Sequence, residues 1–418
     1  MPGDKSTSHR ALMLGGLAHG TTRVLGLLEG EDVMSTLSAM RALGVEIVRE
    51  GEGWRIEGRG LEGLRSPNGP LDLGNAGTGA RLLMGLLAGA GLSATFVGDA
   101  SLSVRPMERV LAPLRDMGAS CSSVEGHMPV QVSAIGPLRP ITFAPPKASA
   151  QVKSAILLAA LGAEGTTTVV EHTATRDNTE RMLRAFGVEV HENMTDSGNR
   201  VSVTGPAKLT ATDITVPGDP SSAAFAAVAA TVVPGSDIVV ENVMLNPRRD
   251  AWLGALRSMG ADISITSERE SGGERVADLH VRAAKLEGAV IDPARAPDMI
   301  DEYPILAVAA AFAEGPTVMD GLHELRVKES DRIRSTVALL RANGVEVEER
   351  PDGMTVHGKA SVPGGGRVET YHDHRIAMST LVLGLAADKA VEVDDPAPIA
   401  TSYPDFFAQF TALGARFA

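Results

Sequence analysis

Cations recur beside hydroxyl and amide side chains at several points of this 418-residue sequence. Lys5-Ser6-Thr7-Ser8-His9-Arg10, Asn75-Ala76-Gly77-Thr78-Gly79-Ala80-Arg81, Ser149-Ala150-Gln151-Val152-Lys153 and Asp373-His374-Arg375 each open an Ala/Leu-rich stretch. At a helix start such groups meet unpaired backbone N–H groups and the positive end of the dipole, which together suit an anion. Taken singly, each is also ordinary N-cap chemistry with a solvated charge. Repetition at matching positions favours anion capture. Val104-Arg105-Pro106-Met107 and Lys328-Glu329-Ser330-Asp331-Arg332 add guanidinium forks, which fit carboxylate or phosphate in a bidentate manner. The second run also reads as an ion-paired helix start. Acidic groups stand among these cations. Asp301, within residues 298–304 (DMIDEYP), is either a helix cap or a general base. Glu329 is a candidate proton donor or acceptor in cationic surroundings.

Other chemistries find less support. Residues 74–79 (GNAGTG) lack the spacing of a P-loop and the strand-and-acid context of a dinucleotide fingerprint. Neither G-x-S-x-G nor H-E-x-x-H occurs. His372 and His374 flank Asp373 without a third ligand group, so no metal is expected. The one cysteine, Cys121, reads as a small strand hydrophobe and fits a reducing cytosol.

The elements that carry these groups repeat. One phrase appears at residues 40–47 (MRALGVEI), 114–121 (LRDMGASC), 183–190 (LRAFGVEV), 256–263 (LRSMGADI), 340–347 (LRANGVEV) and, degraded, 410–417 (FTALGARF). Each copy predicts the last turn of an amphipathic helix, a left-handed Gly cap and a strand. A second phrase keeps the same period: a polar start near Lys5, Asn75, Ser149, Ser221, Asp301 and Asp373, an apolar helix, then a β-rich run. These first helices are apolar almost all round and should be buried on every side. The second helices, such as 175–186, carry charges and should lie outward. The unit is thus β-α-β-α-β-β, used six times. One core rarely grows beyond about 250–300 residues, so three units per domain is the natural division. Pro2-Gly3-Asp4-Lys5-Ser6 and Pro217-Gly218-Asp219-Pro220-Ser221 are the related crossover points.

Composition agrees with an α/β protein built from small residues. Gly numbers 45 and Pro 24, while aromatics are 3%, so closely approaching Ala, Leu and Val must fill the core. A net charge of −13 argues against nucleic acid and anionic membrane as partners. No apolar run reaches the roughly 18–20 residues of a membrane span, and none resembles a signal peptide.

Together, PGDKSTSHR at 2–10, LGNAGTGAR at 73–81, RPM at 105–107, SAQVKSA at 149–155, DEYP at 301–304, RVKESDR at 326–332 and DHRIAM at 373–378 resemble the 5-enolpyruvylshikimate-3-phosphate (EPSP) synthase family, most closely its second, bacterial class. The resemblance implies a two-domain enolpyruvyl-transferase fold, an inside-out α/β barrel with buried helices and sheets outside. Its domains would be 4–217 and 218–418 with 1–3, and its site an interdomain cleft. It implies a cytoplasmic monomer that needs no cofactor or metal and moves the carboxyvinyl group of phosphoenolpyruvate to the 5-hydroxyl of shikimate 3-phosphate. By the same resemblance Lys5, Ser6, Arg10, Ser149, Ala150, Gln151, Arg176, Asp301 and Lys328 contact shikimate 3-phosphate. Lys5, Gly77, Arg105, Gln151, Arg332 and Arg375 hold phosphoenolpyruvate. Asp301 is the base on the 5-hydroxyl, and Glu329 and Lys5 carry protons at the enolpyruvyl group. Gly77 stands where glyphosate-tolerant members often carry Ala, which implies room for that inhibitor. Thr401 stands where the plant-like class has a phosphoenolpyruvate-binding Lys. Family members also place a strand's worth of residues ahead of P-G-D-K-S, so a strand at the first crossover is expected to be missing. The rivals are the UDP-N-acetylglucosamine enolpyruvyl transferase, whose reactive Cys before R-P is not matched by residues 99–104 (DASLSV), and a non-catalytic scaffold of the same fold.

Overall fold

The computed structural model describes residues 1–134, 136–196, 198–271 and 273–417. The chain divides into two compact units, Gly3–Val216 and Pro217–Ala418 together with Met1–Pro2. Each has its own apolar core. Gly3–Val216 contains three buried helices, Lys5–Leu17, Gly77–Gly89 and Ala150–Ala160. Their sequences offer no polar face, so they form stable helices only where neighbours cover them all round. Small residues allow this. A Cβ on Gly85 would lie 2.1 Å from the Ala155 carbonyl oxygen, so two of these helices pack with backbones nearly touching. Outside them lie the one-sided helices Glu31–Ala42, Glu108–Asp116 and Asn178–Ala185, and three sheets of four or five strands.

The second unit repeats the plan. Pro220–Val232, Tyr303–Ala311 and His374–Gly384 are the inner helices, and every residue of Tyr303–Ala311 is buried. Ala251–Ser258, Arg332–Ala342 and Phe406–Ala412 are the outer ones. Its first sheet pairs Asp237–Met244, Glu274–Arg282 and Asp262–Ser271, and its second centres on Ala313–Asp320 and Gly353–Gly358. The third holds only the two-residue strands Arg367–Val368 and Glu392–Val393. Around the helix Phe406–Ala412 several aromatics pack together: Phe406 stacks on Phe410 at 4.3 Å and meets Tyr403 edge-on at 5.5 Å.

The glycines of all six phrases, Gly44, Gly118, Gly187, Gly260, Gly344 and Gly414, have positive φ between 81° and 104°. A left-handed residue there lets the chain leave the outer helix and enter the next strand at no steric cost. In five phrases the Arg donates to the carbonyl six residues on: Arg41 to Ile47, Arg115 to Cys121, Arg184 to Val190, Arg257 to Ile263 and Arg341 to Val347. The degraded sixth has Thr411 in that place. The outer helix expected at 175–186 begins three residues later, at Asn178. Its would-be first turn is diverted because the Glu171 carboxylate takes the Thr175 N–H at 3.1 Å and its hydroxyl at 2.5 Å.

Candidate active site: two clusters of cations and carboxylates

In Gly3–Val216 the functional groups sit at the N-termini of the three buried helices. Asp4 caps the first, accepting from the Thr7 N–H at 2.7 Å. Lys5, at the first position, forms an ion pair with Asp32 of the neighbouring outer helix. One turn on, Arg10 is buried. Its guanidinium donates to the Ser6 carbonyl at 2.8 Å, the Thr179 hydroxyl at 2.7 Å and the Ser154 hydroxyl at 2.9 Å. Between them His9 is fully buried, with Nδ1 2.8 Å from the Thr36 hydroxyl. Burial, then the charges of Lys5 and Arg10, push its imidazole down to about 3, so it is neutral at physiological pH.

The second and third helix starts come together. No side chain caps Gly77–Gly89, and its first N–H, that of Gly77, donates to the Asn75 carbonyl at 2.7 Å. Arg105 reaches this end, donating to the Asn75 side-chain oxygen and, at 3.1 Å, to the Ser101 hydroxyl. Arg81 donates to the Gln151 side-chain oxygen at 2.7 Å and the Pro106 carbonyl at 3.1 Å. Gln151 in turn donates to the Thr78 hydroxyl at 2.9 Å. A Cβ on Gly77 would stand 3.0 Å from Arg105 Nη1 and 3.1 Å from Arg81 Nη1, so the missing side chain opens space where two guanidinium groups meet. Ser149 caps Ala150–Ala160, its hydroxyl 3.4 Å from the Val152 N–H, and Ala150 is half-buried in the first turn. Arg176 lies half-buried on the segment leading into Asn178–Ala185.

The other unit brings Asp301, Lys328, Glu329, Arg332 and Arg375 into one cluster. Asp301, in the 3-10 turn Ile300–Glu302, takes Lys328 Nζ at 3.2 Å and Arg332 Nη1 at 3.1 Å on the same oxygen. Arg332 opens its helix fully buried. It donates to Asp373 at 2.8 and 3.2 Å and pairs with Glu329 at 2.6 Å. Burial alone opposes that charge; Asp373, Glu329 and Asp301 more than reverse it, so the guanidinium is held above its usual range. Burial likewise pushes the Asp373 carboxyl up, and the Arg332 pair outweighs it, leaving Asp373 below the ordinary carboxylate range. Arg375 donates to the Asp301 carbonyl at 3.1 Å and lies 3.7 Å from Glu302.

Several partners escaped sequence reasoning. Asp373 and Arg81 stood inside quoted motifs, yet nothing in sequence marked one as the Arg332 partner and the other as the holder of Gln151. Asp32 and Thr179 carried no signal at all, because each meets its arginine or lysine only through the fold. Among the described residues no group of three or more His, Cys, Asp or Glu is arranged to hold a metal ion. No helix among them is long and apolar enough to cross a membrane.

Units built on the β-α-β-α-β-β repeat, the last copy lacking its final strands among the described residues, with cations and carboxylates at the starts of their buried helices, define an enolpyruvyl-transferase fold. The enolpyruvyl transferase NikO from Streptomyces tendae shares it, with a TM-score of 0.74 over 99% of this chain and 94% of that one, at 19% identity. Residues 1–410 match the family described as EPSP synthase (3-phosphoshikimate 1-carboxyvinyltransferase). The chain belongs to the EPSP synthase family. It is 57% identical to the 3-phosphoshikimate 1-carboxyvinyltransferase of Parvibaculum lavamentivorans, over 100% of this chain and 93% of the relative. Against the enzyme of the same name from Gluconobacter oxydans it is also 57% identical, over 99% of this chain and 94% of the relative. The EPSP synthase structure from Acinetobacter baumannii has a TM-score of 0.88 at 45% identity, covering 99% of this chain and 94% of that one.

Proposed function

We propose that this chain joins phosphoenolpyruvate to shikimate 3-phosphate, releasing inorganic phosphate, and that both clusters act on the same pair of substrates. The observation that carries the reading is Asp301, a carboxylate set between Lys328 and Arg332 with Arg375 beside it. Asp301 takes the proton of the 5-hydroxyl as its oxygen bonds to C2 of phosphoenolpyruvate. A proton added to C3 completes a tetrahedral intermediate. Loss of phosphate from C2 and of a proton from C3 then restores the double bond on the acceptor. Glu329 and Lys5 are the candidates for proton transfer at C3 and at the bridging oxygen.

Anion binding divides between the helix starts. Gly77, Arg105, Gln151, Arg332 and Arg375 suit the phosphate and carboxylate of phosphoenolpyruvate. Lys5, Ser6, Arg10, Ser149, Ala150, Gln151 and Arg176, with Asp301 and Lys328, suit the phosphorylated acceptor. One cation near an anion contributes roughly 4 kcal/mol at 4 Å with an effective dielectric near 20, enough to offset repulsion between two polyanions. The protein is a monomer of 43.5 kDa in this reading, checked by sedimentation. The test of function is phosphate release with phosphoenolpyruvate and each acceptor. Turnover with shikimate 3-phosphate and none with UDP-N-acetylglucosamine is expected. A well-folded protein that releases no phosphate with shikimate 3-phosphate would defeat the proposal.

A further inference from the structure

Lys153 is among the largest fully buried side chains of the molecule, yet it is charged. Its Nζ lies 3.0 Å from Glu171 and 2.6 Å from Glu180, both buried. Such a triad is a costly way to stabilise a core, since apolar side chains of similar volume commonly serve as well. Its connections give it another role. Lys153 stands on the helix whose first turn carries Ser149, Ala150 and Gln151. Glu171 uses its second oxygen to hold the N–H and hydroxyl of Thr175, the residue before Arg176. Glu180 follows Thr179, whose hydroxyl accepts from Arg10 at 2.7 Å and donates to Ser154 at 2.7 Å. Ser154, next to Lys153, accepts from Arg10 at 2.9 Å. Lys153–Glu180 and Ser154–Thr179 are therefore adjacent rungs between two helices, and Arg10 rests on the second.

We infer that Lys153, Glu171 and Glu180 form a positioning triad that fixes Arg10 and Arg176, together with the start of the Ser149 helix, for the phosphorylated acceptor. The inference rests on the acceptor assignment proposed above. None of the three touches substrate; they act by holding residues that do. Outer partners of this kind set the orientation of the groups they hold and cost affinity when lost.

Glu171→Met leaves Lys153 paired one to one with Glu180 and releases only the Arg176 segment. The KM for shikimate 3-phosphate should rise by about tenfold or more, with kcat and the KM for phosphoenolpyruvate within about twofold of wild type. Arg176→Met should raise the same KM. The double variant should then be no worse than Arg176→Met alone, because Glu171 acts through Arg176. Glu171→Gln, which keeps an acceptor for Thr175, should recover most of the loss. Thr175→Val removes the same hydroxyl contact without altering any buried charge, and supplies the comparison where Glu171→Met does not fold. Normal sensitivity to Arg176→Met, with an unchanged shikimate 3-phosphate KM in Glu171→Met or Thr175→Val, would overturn the triad's role alone. Multiplying effects in the double variant would overturn it too. A wild-type KM in Arg176→Met would remove the acceptor assignment, and this inference with it.

Discussion

Asp301 places two cations on one carboxylate oxygen, an arrangement that a simple helix cap does not need. Its motif was legible in sequence, but the choice between cap and base was not, since both roles put an acid before a buried helix. In the structure Glu302 holds the N-cap position of Tyr303–Ala311 with no side-chain cap, so Asp301 is not the cap; kinetics separates a base from an ion-pair partner of Lys328 and Arg332. Asp301→Ala should lower kcat by about 10²–10⁴-fold while both substrates still bind, the range expected for a lost general base. A higher KM with intact kcat would leave Asp301 the role of holding Lys328 and Arg332 in place. Gly77 is the complementary case, where the absence of a side chain is the feature. Its motif pointed to anion binding, but only the structure sets it against the ends of Arg105 and Arg81. In Gly77→Ala those flexible ends must yield by a few tenths of an ångström. The KM for phosphoenolpyruvate should rise only a few-fold, whereas the inhibition constant of glyphosate, an anion one bond longer between phosphorus and carboxylate, should rise far more. Equal changes in the two constants would show that Gly77 does not discriminate between them.

At the scale of elements, the repeated phrase was informative because one physical task recurs: ending an outer helix and starting a strand. The glycine of each copy announced its left-handed turn. The arginine of five copies also had a purpose, donation to the carbonyl six residues on, which periodicity alone did not reveal. Helix 175–186 was misplaced at its start because Glu171 competes for Thr175, a contact between elements that propensity cannot register. The third sheet of the second unit was likewise over-read, since the degraded phrase at 410–417 leads into no strand among the described residues. One glycine tests how tightly sheet and buried helix approach, and a second, in open space, is its control. A Cβ on Gly358 would fall 2.0 Å from the Ala310 carbonyl oxygen and 2.4 Å from that of Ala313, so a strand and a helix end must separate. Gly254, on an outer helix, has nothing within 4 Å of its would-be Cβ. Gly358→Ala should destabilise by about 1–3 kcal/mol, as overpacking does. Gly254→Ala should stabilise by about 0.5–1 kcal/mol through helix propensity. Urea unfolding of the two variants measures both, and a neutral Gly358→Ala would contradict the close approach.

For the molecule as a whole, a net charge of −13 is compatible with anionic substrates because the relevant cations are gathered at the helix starts and held by buried carboxylates. The cations were legible through their motifs; Asp32, Thr179 and Asp373 were not legible as their partners, because those contacts join distant segments. The same concentration of charge has a consequence for stability against acid. His9 is buried beside Lys5 and Arg10, and its folded value of about 3 lies well below the ordinary 6.5 of an unfolded chain. Between those values the unfolded state binds a proton that the folded state refuses. Stability must therefore fall as pH drops from about 6.5 towards 3, by up to about 1.4 kcal/mol per pH unit for this one group. Asp373 works in the same direction but later. Its lowered value preserves its contribution until pH falls below the ordinary aspartate range, near 3.9. Burial raises the carboxyls of Glu180 and Asp250, which work in the opposite direction, so in the window from pH 6.5 to about 4.5 it is the difference between wild type and a His9 variant that isolates His9. His9→Gln keeps a polar group opposite Thr36 and removes the titration, so its unfolding free energy should fall less across that window than that of wild type. Parallel curves for the two proteins would assign the acid sensitivity to other groups and show that His9 already exchanges protons freely in the folded state.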